Sequence, residues 1–204
     1  MNVPKAVIFD LGKVLLEFDY HRAAAVLGPL SSVPPNEFKR IIDQTPLLHR
    51  FETGLMSTDE FVAEVRELTG FHGTSDLFHH TFGDIFWEIP EMIALQQRLE
   101  ANGIPTFIFS NTNELAVRKI QANFPFFSGF SGYIYSYEVR SMKPAPGIYE
   151  AMEAMAGAKG ADLVYLDDRL ENIEAGAARG WQALLHADPA VTIPRVRQIF
   201  GLDR

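Results

Sequence analysis

The 204-residue chain is predicted to be an α/β protein, a three-layer arrangement of helices on both faces of a parallel sheet, with a helical unit inserted after the first strand. Three observations predict it. Short continuous apolar runs recur along the chain, the pattern of strands covered on both faces. Helical patterns separate those runs, as crossovers between parallel strands require. One long stretch, from about residue 18 to 89, carries helical periodicity and no convincing strand.

Each element has a local reason. Ala6-Val7-Ile8-Phe9 is the first apolar run and ends at Asp10. In the inserted stretch, Ser57-Thr58-Asp59-Glu60 forms a capping-box pattern ahead of Phe61, Val62, Val65 and Leu68, which share one helical face, and Gly70 stands where a C-cap belongs. Pro34-Pro35 and Thr53-Gly54 punctuate the remainder. Pro90 opens a helix through Met92, Ile93, Leu95 and Leu99 that closes at Asn102-Gly103. Ile104 to Phe109 is a second strand ending at Ser110, and Asn113 is placed to cap the helix after it. Tyr133 to Tyr135 is a short strand, and Ile148, Met152 and Met155 mark another helical face. Leu163 to Leu166 is a third buried strand, ending at Asp167-Asp168, and Ala183 to Leu185 is the last. The expected division is a core of residues 1–16 and 90–204, with a helical cap of residues 17–89.

Composition narrows the function. Apolar residues make up 47% of the chain, enough for a full core in one domain with a small insertion. The net charge is −8 and no basic run occurs, so nucleic acid is not an expected partner. The absence of cysteine excludes disulfides and thiolate metal centres. No apolar run approaches the roughly 18 residues of a membrane span, and the N-terminus lacks a signal-peptide pattern. A cytoplasmic chain with no membrane partner is expected, as a monomer or weak homodimer. An acidic protein that binds phosphate has to build a local positive site against its own field.

Three strand predictions end in polar residues of catalytic type: Asp10, Ser110 and Asp167-Asp168. In open parallel sheets, ligands bind beyond the carboxyl ends of the strands, at the switch point. Any one of these residues alone is a polar group where a strand meets a loop. Together with Lys143 in Ser-Met-Lys-Pro, they form a pattern. That pattern resembles the haloacid dehalogenase superfamily. The resemblance runs through Val-Ile-Phe-Asp10-Leu-Gly12-Lys-Val-Leu, Phe109-Ser110-Asn111-Thr112, Met142-Lys143-Pro144-Ala-Pro146-Gly-Ile-Tyr149 and Tyr165-Leu166-Asp167-Asp168-Arg-Leu-Glu-Asn172-Ile. Each motif alone is weak, and four in order over essentially the whole chain are strong.

The resemblance implies a Rossmann-like core with a helical cap and a phosphatase that needs Mg²⁺ and takes a small phosphorylated metabolite. It implies Asp10 as the nucleophile, forming an aspartyl-phosphate. It implies Asp10, the carbonyl of Gly12, Asp168 and Asp167 (directly or through water) around the metal. It implies Lys143, the Ser110 hydroxyl and the Asn111 N–H on the phosphate, the last two at a helix start. Asn172 would hold Lys143 or the acidic pair in place. A carboxylate nucleophile splits one difficult displacement into two easier ones, provided its repulsion from the phosphate is neutralised.

The chain departs from the pattern at position 12, where the family's phosphatases usually carry a second Asp as proton carrier. Such help is worth about 10²–10⁴-fold. Glu17, Asp19 and His21 are candidate substitutes, each with a plainer structural reading, and a substrate hydroxyl or a water is a further candidate. Asp-Leu-Gly-x-Val resembles a bacterial subgroup of α-glucose-1-phosphate phosphatases, as do Glu17-Phe-Asp19-Tyr-His-Arg22, Phe51-Glu-Thr-Gly54 and Thr192-Ile-Pro194. Sugar phosphates are the substrates this implies. Two alternatives stay open: a metal-independent 2-haloacid dehalogenase, which also lacks an Asp at position 12, and a phosphate-binding protein without turnover. Lys13 would cost roughly 1 kcal/mol if its backbone were left-handed.

Overall fold

The computed structural model describes residues 3–43 and 45–202. The chain begins with β1 (Ala6–Phe9) and β2 (Leu16–Phe18). There follow α1 (Tyr20–Leu27), α2 (Pro35–Ile42), α3 (Pro46–Glu52), α4 (Thr58–Thr69), α5 (Ser75–Phe82) and β3 (Phe86–Glu88). The rest alternates: α6 (Pro90–Ala101), β4 (Thr106–Ser110), α7 (Glu114–Asn123), β5 (Gly132–Tyr135), α8 (Ser136–Val139) and α9 (Pro146–Ala156). It ends with β6 (Leu163–Asp167), α10 (Leu170–Ala178), β7 (Gln182–Leu185) and α11 (Pro189–Phe200).

Five strands form one parallel sheet in the order β5-β4-β1-β6-β7. Strand β1 is central, its Phe9 level with Ile108 on one side and Leu166 on the other. The chain builds outward from β1 through β4 to β5, then returns to place β6 and β7 on the opposite side. The switch point therefore lies beyond the carboxyl end of β1. Side chains alternate across the sheet. Val7, Phe9, Ile108, Val164 and Leu166 pack on one face with α6 residues such as Met92 and Leu99. Ala6, Ile8, Phe109, Leu163 and Tyr165 pack on the other with Ile148, Tyr149 and Met152 of α9. Complete burial of β1 explains its unbroken apolar run.

The inserted helices bury an interior of their own, rich in phenylalanine: Phe38, Phe51, Phe61, Phe71, Phe78 and Phe82. The capping box forms at Ser57 and Glu60, and Gly70 closes α4 in the left-handed conformation at φ 66°. Leu68 departs from expectation: it is exposed, and Thr69 takes the buried place, its hydroxyl donating to the Val65 carbonyl at 2.6 Å. The buried stripe thus advances by four residues in the last turn instead of three.

The stretch from residue 18 to 89 is not purely helical. Strand β2 pairs antiparallel with β3, Glu17 opposite Trp87 and Phe18 opposite Phe86. Three-residue strands are too short for period-two alternation to register in sequence. This ladder joins the place where the chain enters the helical cap to the place where it leaves.

Candidate active site

The carboxyl ends of β1 and β6 aim their acids at the same spot. Asp167 closes β6 on the side of the sheet that carries Leu163 and Tyr165, by the strand's own alternation. Asp10 follows β1 directly and extends its ladder, its N–H donating to the Leu166 carbonyl at 2.8 Å. Between them lies the ammonium of Lys143, delivered by the loop ahead of α9. Its Nζ donates to Asp10 Oδ1 at 2.9 Å, Asp167 Oδ2 at 2.6 Å and the Phe109 carbonyl at 2.8 Å. Three donors meet three acceptors, so the buried ammonium is fully satisfied. The rings of Phe109 and Tyr165 flank it, their centroids 5.1 Å and 5.9 Å away.

Asp167 is the most heavily engaged acid. Oδ2 accepts from Lys143 and from the Tyr165 hydroxyl at 2.5 Å, and Oδ1 accepts from the Arg169 N–H at 2.9 Å and Asn172 Nδ2 at 3.0 Å. Burial works against its charge, but Lys143 and these donors prevail and hold its carboxyl below the ordinary range. Asp10 goes the other way. Burial pushes it up to about 7; Lys143 opposes, and the charges of Asp167 and Asp168 add. Asp168 is raised by burial and by Asp167. Carboxylate oxygens of Asp10, Asp167 and Asp168 all lie within 4.8 Å of one another. One ammonium among three carboxyls leaves the cluster short of positive charge. Its donors are all oxygen, which suits a hard divalent cation such as Mg²⁺.

A cavity of about 390 Å³ opens above this cluster, lined on the sheet side by Asp10, Gly12, Lys143 and Asp168 and on the cap side by Tyr20 and Glu52. A smaller cavity beside it is lined by Ser110, Asn111 and Asn113. The structure thus brings Asp10, Lys143, Asp167, Asp168 and Asn172 together at bonding distance or close to it, with Gly12 and Asn111 on the same wall. Ser110 is buried next door, its hydroxyl 3.4 Å from the Asn111 carbonyl. Helix α7 starts at Glu114 and is capped by Asn113, so Ser110 and Asn111 precede the helix start instead of forming it. The Asn111 side chain has a job the sequence did not signal. Its Nδ2 donates to the Lys143 carbonyl at 2.9 Å, and its Oδ1 accepts from the Lys143 N–H at 2.8 Å. That pair of bonds holds the lysine loop to the end of β4.

Other contributors escape sequence reasoning. Tyr165 is detectable only through its i, i+2 relation to Asp167 on a strand. Ser136 stitches three segments: its Oγ accepts from the Thr112 N–H at 2.9 Å and lies 2.5 Å from the Glu52 carbonyl. Lys13 is left-handed, at φ 61°, and lines the main cavity. It pairs with Glu17 and lies 5.0 Å from the Phe18 ring centroid. Phe51 is not at the site; it stacks on Phe61 inside the cap, centroids 4.3 Å apart.

A parallel α/β sheet with paired acids and a buried lysine at its central strand ends, beneath a helical cap, is the architecture of a class of hydrolases. A family model of haloacid dehalogenase-like hydrolases matches residues 4–180, and the chain belongs to that family. It is 24% identical over 201 residues to a sesquiterpene phosphatase from Aspergillus oryzae, covering 97% of each chain. It is 25% identical over 187 residues to a D-ribitol-5-phosphate phosphatase from Bacteroides thetaiotaomicron, covering 87% of this chain and 89% of the other. A crystal structure of a family enzyme from Bacteroides thetaiotaomicron, in complex with magnesium and inorganic phosphate, superposes with a TM-score of 0.75 at 22% identity. The match covers 90% of this chain and 94% of that one. No helix among the described residues is long and apolar enough to cross a membrane.

Proposed function

We propose that this hydrolase is a Mg²⁺-dependent phosphatase of small phosphorylated metabolites, sugar phosphates foremost, acting through an aspartyl-phosphate on Asp10. The observation that carries the reading is the Lys143 ammonium locked between Asp10 and Asp167 at the floor of a cavity sized for a small metabolite. Lys143 binds one oxygen of Asp10 and leaves the other without a protein donor among the described residues. That second oxygen attacks phosphorus, the leaving oxygen departs, and water then hydrolyses the aspartyl-phosphate. Lys143 cancels part of the repulsion between carboxylate and phosphate.

Asp10, Asp168 and the Gly12 carbonyl are the residues that would hold Mg²⁺. Asp167, whose oxygens already accept four hydrogen bonds, would contribute its charge or act through a water. When bound, the ion supplies positive charge that screens the carboxylates and polarises the phosphoryl oxygens. Ser110 and Asn111 bind phosphate from the end of β4, and Asn172 keeps Asp167 in register. The cap comprises residues 17–89, a division supported by its separate apolar interior and by the β2–β3 ladder at its base. Sugar phosphates are favoured by the resemblance of the Asp10-Leu-Gly12-x-Val motif to α-glucose-1-phosphate phosphatases and by the likeness of the chain to a D-ribitol-5-phosphate phosphatase.

The test is phosphate release from p-nitrophenyl phosphate and a panel of sugar and nucleoside phosphates, with and without Mg²⁺, in the natural chain and in Asp10→Asn. Metal-dependent release abolished by the substitution is expected. Metal-independent halide release from 2-haloacids would replace the reading with a dehalogenase. Phosphate binding without turnover would replace it with a binding protein.

A further inference from the structure

We propose that Glu52, at the end of cap helix α3, is the proton carrier of this active site. It would protonate the departing alkoxide and then deprotonate the water that attacks the aspartyl-phosphate. The proposal rests on the phosphatase reading above and goes beyond it.

Position 12 cannot serve, and the structure gives a reason beyond the missing side chain. A Cβ built on Gly12 would lie 2.9 Å from Cε1 and 3.3 Å from Cδ1 of Phe18. That ring is itself packed against Tyr20 and Phe86, with centroids 6.0 Å and 6.1 Å away. The acids nearest in sequence are occupied elsewhere. Glu17 pairs with Lys13, and Asp19 caps α1 while accepting from the ring of His21 at 2.8 Å. None of Glu17, Asp19 and His21 lines either cavity. Asp43 does, but its carboxylate is held by Lys39 at 2.7 Å.

Glu52 lines both cavities, with Gly12 and Asn111 on their shared wall. Its backbone is fastened to the core: the Ser136 hydroxyl lies 2.5 Å from its carbonyl, and Thr53 Oγ1 lies 3.0 Å from Met142 Sδ. At Gly54, left-handed at φ 67°, a Cβ would fall 2.1 Å from the Tyr137 carbonyl oxygen. The cap therefore meets the core backbone to backbone beside this glutamate. Its carboxyl accepts from the Asn113 side chain, whose own Oδ1 is committed to the Ala116 N–H. The charged and titratable groups around it are Asp43 from the end of α2, Tyr20 of α1 and Arg169 after β6. Burial pushes the Glu52 carboxyl up to about 7, with Asn113 and Arg169 opposing and Asp43 adding. A group that gives a proton in one step and takes one in the next works best near the ambient pH.

The steps balance. In the first, a bond forms from Asp10 to phosphorus, the phosphorus–alkoxide bond breaks, and the Glu52 proton goes to the leaving oxygen. In the second, ionised Glu52 takes a proton from water, the water oxygen bonds to phosphorus, and the bond to Asp10 breaks. Its electron pair returns to the carboxylate, and Glu52 is left protonated as it began.

The experiment compares the full natural chain with Glu52→Gln in Mg²⁺, on p-nitrophenyl phosphate and on an alkyl phosphate such as ribitol 5-phosphate. Turnover of the alkyl phosphate is expected to fall about 10²–10⁴-fold. Nitrophenolate needs no proton to leave, so the aryl ester should give a burst near one equivalent, then slow turnover. Mass spectrometry should find the phosphoryl group trapped on Asp10. Glu52→Asp should recover part of the lost turnover. Gly12→Asp with Phe18→Ala should rescue Glu52→Gln, which a distorted cap would not allow. Natural kcat on both substrates in Glu52→Gln, with no burst, overturns the proposal. Absence of turnover in the natural chain would instead overturn the phosphatase reading.

Discussion

The protein has interiors of two kinds. The sheet interior is built from strands whose side chains alternate under a continuous backbone ladder, Val7 and Phe9 to one face and Ala6 and Ile8 to the other. The cap interior is rich in phenylalanines packed between helices rather than along strands, as in the stacked pairs Phe51–Phe61 and Phe78–Phe82. A ladder fixes the direction of the residue that follows it, so the sheet can aim Asp10 and Asp167 at one ammonium. Helix packing encloses space with less directional control. The cap reaches the cavity with charge through helix ends, Asp43 after α2 and Glu52 closing α3. On the proposed reading, the nucleophile and its counter-charge belong to the sheet, and enclosure and proton transfer to the cap.

The sharpest way to break this division is at the sheet. Asp10→Asn should lower phosphate release by at least about 10³-fold, as loss of a nucleophile does in other covalent hydrolases. Thermal melting should move little by comparison. Residual turnover near the natural rate would remove the sheet's claim to the chemistry. Lys143→Met should both silence the enzyme and destabilise it by about 3–5 kcal/mol, because two buried carboxylates lose the cation they share. Urea unfolding measures this, and an unchanged midpoint would show that the lysine does not hold the strand ends together.

The cap is tested by Phe61→Ala, which empties the centre of the aromatic cluster. A cost of about 3–5 kcal/mol is expected. Hydrogen exchange should rise across α1 to α5 while the amides of β1, β4 and β6 keep their protection. A uniform rise would mean that the two interiors unfold as one.

The smallest effect lies far from the cavity, at Glu153. Its carboxylate takes three bonds, from Arg179 Nε at 2.9 Å, Arg179 Nη2 at 2.8 Å and Trp181 Nε1 at 2.9 Å. The bonds from Arg179 hold its carboxyl below the ordinary value of 4.5, with burial opposing and Trp181 helping. Between the lowered value and 4.5 the unfolded chain binds more protons than the folded one. The contribution is thus whole above 4.5 and lost as pH falls through the lowered value. Glu153→Gln should cost about 1–2 kcal/mol at neutral pH. Its stability curve should converge on that of the natural chain in acid, and parallel curves would contradict the assignment.

Most of the sheet was legible because its determinants are local. Strands β1, β4 and β6 are apolar runs with a polar stop, and Asn113, Ser57 and Gly70 signal helix ends through hydrogen bonds within a few residues. The acids at the strand ends were legible for the same reason. The β2–β3 ladder was not, since neither strand is long enough to show its period and the partners are far apart in sequence. Leu68 misled because a helix face drifts when a threonine one residue later finds a backbone acceptor.

The sequence by itself determined which residues make most of the main sheet, which acids stop its strands, and that position 12 has no side chain to carry a proton. These follow from side-chain chemistry and near-neighbour spacing. Only the tertiary structure decided that Lys143 sits between Asp10 and Asp167, that Asn111 clamps its loop, and that Phe18 occupies the space beside Gly12. Each of these joins segments brought together by sheet order and cap packing, and proximity of that kind is a property of the folded chain rather than of any stretch of it.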